Sequence, residues 1–453
     1  MEDFLQKVNN WLPENWKKKI ALQQPVYENE SNYNKILKLI KIHPPIICPG
    51  EVDNLLKQIA EASEGKRFIL QGGDCVERFI DCNEEFITNK IKILLQMSMI
   101  LTYAARRSVL RIGRIAGQFS KPRSSNIEIV NNQEMFTYKG DSINSFEAET
   151  NLRKPDPERL LNSYYFSAIT LNYIRAMIAG GFTDLHYPYN WNLYSIEKTK
   201  QWKKYRDVVE NIMDAVNFME SFGGANTEQI KDIEFFTSHE GLHLGYEEAL
   251  TRKDKRTGRY YNLGAHMIWI GERTRDVNGA HVEYFKGIEN PIGIKISNKI
   301  TESELLELLN ILNPRNEKGR ITLITRMGAK NVKTILPGLI KSVNKANLNV
   351  SWVCDPMHGN TITTRNNIKT RRFNEILDEL RSTFEIHKNN NSYLAGMHFE
   401  LTGEDVTECT GGAIKLNESD LNRNYQTYCD PRLNYSQSME MSFLIANLLR
   451  VNY

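Results

Sequence analysis

Eight short apolar runs, each rich in β-branched residues and ending in glycine or a polar cluster, recur through this chain of 453 residues. Such runs are typical of strands that are buried on both faces of a parallel sheet. Amphipathic helical stretches lie between several of them, including ESELLELLNIL before the sixth run and RRFNEILDELRSTFEIH before the eighth. The pattern predicts an α/β fold and a (β/α)8 barrel, although an open doubly wound sheet would share it. The predicted strands are Arg67–Gly73, Val109–Ala116, Ile233–His239, His266–Glu272, Pro291–Ser297, Ile321–Gly328, Val350–Met357 and Tyr393–Leu401.

Two segments exceed what a minimal barrel needs. Residues 1–65 precede the first predicted strand and form an N-terminal extension. A second segment, at about residues 150–225, lies between the second and third strands and has helical patterns over Pro157–Ala179 and Gln201–Ser221. The chain contains no internal repeat and no low-complexity linker. We therefore expect one catalytic barrel over residues 66–453, decorated by the extension and by a helical insertion.

Composition excludes several classes of protein. The formal net charge of +3 is too small to indicate a nucleic-acid partner. The N-terminal sequence MEDFLQKVNNWLPENW has no basic segment followed by an apolar run, and no apolar stretch is long enough to span a bilayer. The six cysteines follow no repeating framework, which favours a reducing compartment. We expect a cytoplasmic protein that binds neither nucleic acid nor membrane.

Reactive side chains follow the predicted strands, where (β/α)8 barrels place their active sites. One group consists of cations, and arginine and lysine that converge on a pocket bind phosphates and carboxylates. Any one of them alone would be a solvated or salt-bridged side chain, but six at strand ends and in the following loops indicate a site for more than one anionic group. The six are Arg114, Lys121, Arg123, Arg273, Lys295 and Arg326.

A second group mixes a thiol, an imidazole and two carboxylates: Cys75, His358, Glu400 and Asp430. This set of soft and hard donors suits a divalent transition metal such as manganese, iron, cobalt or zinc. The four residues are scattered along the chain, so their spacing adds little. A lone buried cysteine is more often a small hydrophobic residue, and a lone histidine is more often a hydrogen-bonded core residue.

One segment indicates a different class of protein. His239-Glu240-Gly241-Leu242-His243 formally matches the H-E-x-x-H motif of zinc proteases. That motif requires a helix, whereas this segment follows the β-like run IEFFT and has a glycine at its centre. We interpret the match as coincidental and keep a zinc protease as the alternative from another class.

Several long strings, in order, resemble the class II 3-deoxy-D-arabino-heptulosonate 7-phosphate (DAHP) synthases. They include LQGGDCVERF, RIGRIAGQFSKPRSS, FTSHEGLHLGYEEALTR, WIGERTRDVNGAHVEYFKGIENPIGIKIS, LITRMGA, VCDPMHGNT, HFELTGEDVTECTGG and CDPRLNYSQSMEMSFLIA. The resemblance covers nearly the whole chain. This chain departs from it at Ser297-Asn298, where members of that family usually have Gly-Pro, and at Ser145, where glycine is common.

The resemblance implies a (β/α)8 barrel and a transferase, the 3-deoxy-7-phosphoheptulonate synthase that condenses phosphoenolpyruvate with erythrose 4-phosphate in the first step of the shikimate pathway. It implies that Cys75, His358, Glu400 and Asp430 hold a divalent metal, with manganese expected and cobalt, iron or zinc as alternatives. It also implies that Arg123 and Ser124 hold the phosphate of erythrose 4-phosphate. Lys121, Glu272 and His358 are the expected catalytic residues. The implied phosphoenolpyruvate site is Arg114, Lys121, Glu272, Arg273, Lys295 and Arg326.

The resemblance leaves partners and pathway open. It implies a homodimer or homotetramer, and some relatives add an aromatic amino-acid effector or a chorismate mutase partner. A paralogous synthase of secondary metabolism that uses the same chemistry on another sugar is the nearest alternative to the shikimate enzyme. Cys429 immediately precedes Asp430. If Asp430 and Cys75 share a metal, we expect the two thiols to lie close together and to form a disulfide on oxidation of the metal-free protein.

Overall fold

The computed structural model of the chain describes residues 11–184, 201–221 and 233–452. Eight parallel strands, numbered along the chain with the shorter strands between them, close into a barrel in the order β1-β2-β5-β8-β9-β10-β11-β14, and β14 pairs with β1. The closed barrel confirms the predicted (β/α)8 fold and excludes the open sheet. The barrel strands are β1 (Arg67–Gly73), β2 (Ser108–Arg114), β5 (Phe236–Glu240), β8 (Met267–Ile270), β9 (Ile292–Ile296), β10 (Ile321–Thr325), β11 (Ser351–Cys354) and β14 (Leu394–Glu400).

Each barrel strand is followed by at least one helix, as the alternating pattern predicts. Two further helices, α1 (Glu30–Ile42) and α2 (Pro49–Ser63), precede the barrel. The helices that follow the strands are α3 (Glu84–Ala105), α4 (Glu158–Ala179), α5 (Gln201–Ser221), α6 (Leu244–Leu250), α7 (Ala280–Phe285), α8 (Glu302–Leu312), α9 (Val332–Lys345), α10 (Phe373–Asn389) and α11 (Tyr435–Asn452).

The predicted strands extend a few residues beyond the observed ones at several ends. Residues 233–235 lie outside any strand, although the Phe235 ring packs against the backbone of Gly113. Glu272 and Arg273 lie in the turn after β8, and Arg326 follows β10 by one residue. The apolar pattern reports burial, and burial continues beyond the last hydrogen bond of the strand ladder, so the sequence alone overestimates strand length.

The insertion after β2 contains both predicted helices. Helix α4 begins immediately after Pro157, which occupies its N-cap position, and α5 has the predicted bounds. A hairpin that was not predicted from the sequence precedes them, β3 (Ile127–Val130) with β4 (Gln133–Phe136). Two smaller hairpins are β6 (Thr251–Lys253) with β7 (Tyr260–Asn262) and β12 (Thr361–Thr363) with β13 (Lys369–Arg371). Residues 1–10 of the predicted extension, and residues 185–200 and 222–225 of the predicted insertion, lie outside the described residues.

The two ends of the barrel differ in chemistry. Near the amino ends of the strands, inward-facing residues such as Ile69 and Leu110 form a cluster with Leu55 and Ile59 of α2, so the N-terminal extension closes this end. Further along the strands the interior becomes polar, with Gln71 among its buried side chains. In the described part of the chain, no helix is both long and apolar enough to cross a membrane.

Candidate active site

A cavity of about 180 Å³ lies at the carboxyl ends of the barrel strands. Seven of the residues proposed from the sequence line it, which agrees with the expectation that strand ends converge on one pocket. The lining residues are Lys121, Pro122, Glu240, Gly271, Glu272, Arg273, Lys295, Arg326, His358, Thr361 and Asp430.

The register of the barrel strands brings the cation Arg114 and the carboxylate Glu400 together. Gly73, the last residue of β1, is paired with Arg114 of β2 on one side and with Glu400 of β14 on the other. Gly73 has a φ of +147°, and a Cβ there would lie 2.5 Å from the Arg114 carbonyl oxygen. Only glycine therefore lets the three strand ends approach this closely.

Arg114 is buried beneath the cavity and does not line it. Its Nε donates to the carbonyl oxygen of Asp74 over 2.9 Å, and its Nη2 donates to the carbonyl oxygen of Cys75 over 3.0 Å. The same Nη2 lies 3.2 Å from Glu400 Oε1, and Nη1 lies 2.6 Å from His398 Nε2. Arg114 thus holds the loop after β1 against β14.

Three of the four proposed metal ligands lie together. The donor atoms of Cys75, Glu400 and Asp430 are all within 4.8 Å of one another. Ligands bound to one ion at about 2.0 to 2.3 Å cannot be further apart than roughly 4.6 Å, so small shifts would bring these donors around a common centre. His358 Nε2 lies 2.9 Å from Glu400 Oε1, which places the fourth residue beside them. The residues therefore fit a divalent transition metal in both chemistry and spacing.

Asp355 is the residue immediately after β11, and it fixes the orientation of His358. Its Oδ2 lies 2.7 Å from His358 Nδ1, and its Oδ1 accepts the backbone N–H groups of Met357 and His358. Burial opposes the charged carboxylate, but His358 and Lys295 outweigh it and hold the pKa of Asp355 well below its usual value. A carboxylate on Nδ1 leaves Nε2 free to face Glu400, the arrangement that supports histidine ligands of metals.

Lys121 places a positive charge among these donors. Its Nζ lies 2.5 Å from Cys75 Sγ and also contacts Asp430 Oδ2. Burial would lower the pKa of Lys121, but the negative charge of Asp430 outweighs burial and raises it. The same contact lowers the pKa of Asp430 against the opposing effect of burial. Lys121 is therefore a charged proton carrier at the edge of the donor set.

A second thiol lies beside Cys75. Cys75 donates a hydrogen bond to Cys429, and Arg123 Nη1 lies 3.3 Å from Cys429 Sγ. The hydrogen bond from Cys75 lowers the pKa of Cys429 to about 7, whereas burial raises the pKa of Cys75. The loop that carries Asp430 thus brings its cysteine next to the cysteine that follows β1.

The remaining cations border the cavity. Arg273 Nη2 donates to Ser124 Oγ over 3.0 Å, which joins a residue of the proposed phosphoenolpyruvate site to one of the proposed erythrose 4-phosphate site. Arg326 Nη2 donates to the carbonyl oxygen of His358 over 3.4 Å. Burial lowers the pKa of Lys295 to about 8, and Asp355 Oδ2, 3.5 Å away, partly opposes this.

Two carboxylates face the cavity beside those cations. Glu272 Oε1 accepts from Ser297 Oγ over 2.8 Å and from Arg275 Nη2 over 2.9 Å. Glu240, at the end of β5, is buried, and burial raises the pKa of its carboxyl group. Its Oε1 has no hydrogen-bond partner among the described residues, and a Cβ at Gly271 would lie 2.0 Å from that atom. Gly271 therefore leaves room for the Glu240 carboxylate at the cavity.

Three groups at this site were not predicted from the sequence. Glu240 ends a barrel strand, and that position indicates the cavity, but in the sequence it lies within the match to the protease motif. Asp355 lies in the same VCDPM segment as strand seven and could have been found in the same way. Arg371, whose Nη1 lies 2.7 Å from Glu400 Oε2, comes from the β12–β13 hairpin and gave no signal in the sequence.

The structure does not support the protease motif. His239 and Glu240 lie on strand β5 and not on a helix. His239 Nε2 lies 3.0 Å from Glu247 Oε1, and His243 Nε2 lies 3.0 Å from Tyr27 Oη. Both imidazoles therefore have partners of their own, and Glu240 lines the barrel cavity instead.

Fold and cavity together define a class of protein: a (β/α)8 barrel enzyme that gathers cations for an anionic substrate beside donors suited to a divalent metal. Comparison with known families is more specific. Residues 11–446 match the model of the class-II DAHP synthetase family. The chain belongs to this family.

Curated relatives agree over nearly their full lengths. A phospho-2-dehydro-3-deoxyheptonate aldolase of Neurospora crassa is 45% identical, over 97% of this chain and 94% of the relative. A protein of the same name from Streptomyces coelicolor is 44% identical over 96% of each chain. The phospho-2-dehydro-3-deoxyheptonate aldolase AroG of Mycolicibacterium smegmatis is 40% identical, over 95% of this chain and 93% of its own.

Proposed function

We propose that this chain is a 3-deoxy-7-phosphoheptulonate synthase, which condenses phosphoenolpyruvate with erythrose 4-phosphate and water to give DAHP and phosphate at the start of the shikimate pathway. Family membership and the names of the curated relatives support the reaction. The observation that assigns this reaction to specific residues is the cavity. There Lys121 lies between the other cations and the donor atoms of Cys75, Glu400 and Asp430.

The cations fix the two substrates. Lys295, Arg273 and Arg326 line the cavity and bind the phosphate and carboxylate of phosphoenolpyruvate, with Arg114 holding the strand ends beneath them. Arg123 and Ser124 bind the phosphate of erythrose 4-phosphate, and the Arg273–Ser124 hydrogen bond connects the two subsites. This arrangement places C3 of phosphoenolpyruvate against the aldehyde carbon, which removes much of the entropic cost of the reaction.

Bond formation requires one proton donor and one bound water. The C3–C1 bond forms as the aldehyde oxygen gains negative charge, and Lys121 gives that oxygen a proton. Glu272 positions the water that adds to C2 of the former phosphoenolpyruvate. Phosphate then leaves by cleavage of the C2–O bond, one proton of the water goes to the departing phosphate and the other restores Lys121, and C2 becomes the ketone. Cys75, His358, Glu400 and Asp430 would hold a divalent ion, which would supply Lewis acidity at the aldehyde, and we expect manganese in preference to cobalt, iron or zinc.

The test is a spectrophotometric assay. Purified protein with manganese should consume phosphoenolpyruvate, followed by its ultraviolet absorbance, when erythrose 4-phosphate is added, and a chelator should stop the reaction. His358→Ala should lose activity by more than about 100-fold, because even groups that only support a metal ligand cost roughly 10- to 100-fold. His43→Ala, at the end of α1 and away from the cavity, is the matched control.

Two results would contradict the proposal. If the folded, manganese-bound protein leaves phosphoenolpyruvate unchanged, the reaction is wrong and other aldehyde acceptors should be tried. If His358→Ala binds manganese and turns over as the unmodified protein does, the reaction stands and the ligand role of His358 is wrong.

A further inference from the structure

A buried carboxylate outside the cavity joins two loops of the active site. Glu379 lies on α10, is fully buried and is not among the residues that line the cavity. Its Oε1 accepts the backbone N–H groups of Met327 and Gly328, each over 2.9 Å. Its Oε2 accepts from Asn360 Nδ2 over 2.7 Å. One oxygen therefore holds the loop after β10, and the other holds the loop after β11.

Asn360 completes the connection. Its Oδ1 accepts the backbone N–H of Ala329 over 3.0 Å, and its Nδ2 donates both to Glu379 and to the carbonyl oxygen of Pro356 over 2.8 Å. A backbone donor on one side and two acceptors on the other fix the orientation of the amide. Glu379 and Asn360 form what we call the loop clamp.

The clamped loops are in direct backbone contact. A Cβ at Gly359 would lie 2.3 Å from the backbone nitrogen of Gly328, and Gly328 has a φ of +82°. Glycine at both positions lets the backbones pack with no side chain between them, so a shift of one loop moves the other. The residues just outside this contact are Arg326, immediately before Met327, and His358, immediately before Gly359.

The clamp needs a carboxylate at position 379. Burial disfavours the charged form and raises the pKa of Glu379 to about 8, whereas its hydrogen bonds with Gly328, Met327 and Asn360 favour the charged form, so ionising this buried group has an energetic cost. Glutamine could accept the two backbone N–H groups equally well without that cost. Its amide nitrogen, however, would meet the Nδ2 donor of Asn360, and the bond between the loops would be lost. The N–H groups of Met327 and Gly328 alone would be satisfied by glutamine. The additional donor from Asn360 is what requires a carboxylate at this position.

We propose that Glu379 is a positioning residue that acts through Asn360 to fix Arg326 relative to His358, so that the phosphoenolpyruvate site and the metal site keep one geometry. This inference rests on the proposed function, in which Arg326 binds phosphoenolpyruvate and His358 binds the metal. Erythrose 4-phosphate is held by Arg123 and Ser124 on other loops, so the clamp should not affect its binding.

The experiment compares Glu379→Gln with Glu385→Gln, an exposed residue on the same helix. The dissociation constant for Mn²⁺ is measured by electron paramagnetic resonance, and that for phosphoenolpyruvate by calorimetry. We expect Glu379→Gln to weaken both by roughly 10- to 100-fold, as is typical when a group that orients a ligand is lost. The KM for erythrose 4-phosphate should be unchanged, and Glu385→Gln should match the unmodified protein.

A second variant guards against a folding defect. Asn360→Ala keeps the bonds of Glu379 to Met327 and Gly328 and removes the link between the loops, together with the Asn360–Pro356 bond within one of them, so it should weaken the binding of both ligands in the same way. Unaltered affinities in the two variants, or a loss confined to one ligand, would overturn the clamp. So would equal losses for all three ligands, which indicate general disorder. Failure of the proposed function is distinct, because the unmodified protein itself would then leave phosphoenolpyruvate unchanged when erythrose 4-phosphate is added.

Discussion

Ser297 Oγ donates a hydrogen bond to Glu272 Oε1 over 2.8 Å, and it accepts the backbone N–H of Lys299 over 3.2 Å. Because the N–H of Lys299 occupies an acceptor site of the hydroxyl, the hydroxyl proton is directed to Glu272. Arg275 donates to the same carboxylate oxygen, and Oε2 is left buried with no hydrogen-bond partner within the described ranges. Ser297 thus holds one oxygen of Glu272 in place, and the other can accept from a bound water.

Ser297→Ala should therefore slow the reaction without preventing substrate binding. A hydrogen bond to a charged group contributes about 1.5 to 3 kcal/mol, and Arg275 retains part of the restraint, so we expect kcat to fall by roughly 10-fold. Ser342→Ala, which removes another serine-to-glutamate hydrogen bond on the exposed surface, is the control. An unchanged kcat in Ser297→Ala would mean that Arg275 alone positions Glu272.

Deprotonation of Lys295 should make kcat/KM for phosphoenolpyruvate decrease at alkaline pH. Its pKa in the free protein is about 8, so the ammonium is charged below that pH and becomes neutral as the pH rises through it. Because the charged form binds the anionic substrate, kcat/KM for phosphoenolpyruvate should fall by up to about tenfold per pH unit above 8, while kcat falls only at higher pH. The charged groups that act on Lys295 are Asp355, Arg114, Glu400 and Arg326.

Lys295→Arg separates this effect from other titrations. Arginine stays protonated, so the decrease near pH 8 should disappear from the kcat/KM profile, even if activity is lower overall. Lys330→Arg, at an exposed position, should leave the profile unaltered. If kcat/KM of Lys295→Arg still decreases near pH 8, the titration of another group causes the decrease.

The sequence was sufficient for the barrel and for residues that follow strands directly. Eight apolar runs predicted the strands because a parallel strand is buried on both faces, and this needs no knowledge of its neighbours. Cys75, Glu272 and His358 could be proposed because strand ends converge in any such barrel. The boundaries were less accurate, since the apolar pattern at residues 233–235 reports packing outside the strand ladder.

The residues that hold the site in place from outside the cavity could not be predicted in this way. Arg371 reaches Glu400 from a hairpin, and Glu379 reaches two loops from the helix that follows β11. Such contacts depend on how far apart the loops lie after the barrel has closed, and no local spacing encodes that distance. Glu240 is a different case, because its position at a strand end indicates the cavity, whereas its neighbours in the sequence match a protease motif.

Glu408 should be needed for the loop that carries Asp430. The carboxylate is fully buried and accepts the backbone N–H groups of Gln426, Thr427 and Arg432 over 3.2, 2.9 and 2.7 Å. It also accepts from the Arg432 guanidinium over 2.8 Å. Glu408→Gln removes the charge that pairs with buried Arg432, so we expect a loss of about 3 to 5 kcal/mol in the free energy of unfolding.

Urea denaturation measures the stability of Glu408→Gln, and manganese affinity measured at low temperature reports on the loop itself. The affinity should fall by roughly 10-fold, because Asp430 loses its fixed position. Glu418→Gln, on an exposed part of the same region, is the control. Stability and manganese affinity equal to those of the unmodified protein would show that Asp74, which lies 2.7 Å from Arg432 Nη1, is sufficient to hold the loop.

Oxidation should join Cys75 and Cys429 only when the metal is removed. The two thiols are hydrogen-bonded to each other and all six cysteines are free, so the metal-free protein treated with diamide should lose two free thiols and regain them with dithiothreitol. The oxidant takes two electrons, both thiol protons are released and one S–S bond forms. Manganese bound to Cys75 should prevent the loss, because the sulfur is then engaged, and Cys429→Ser should abolish it in the metal-free protein. Thiol counts that remain at six after oxidation of the metal-free protein would contradict the pairing.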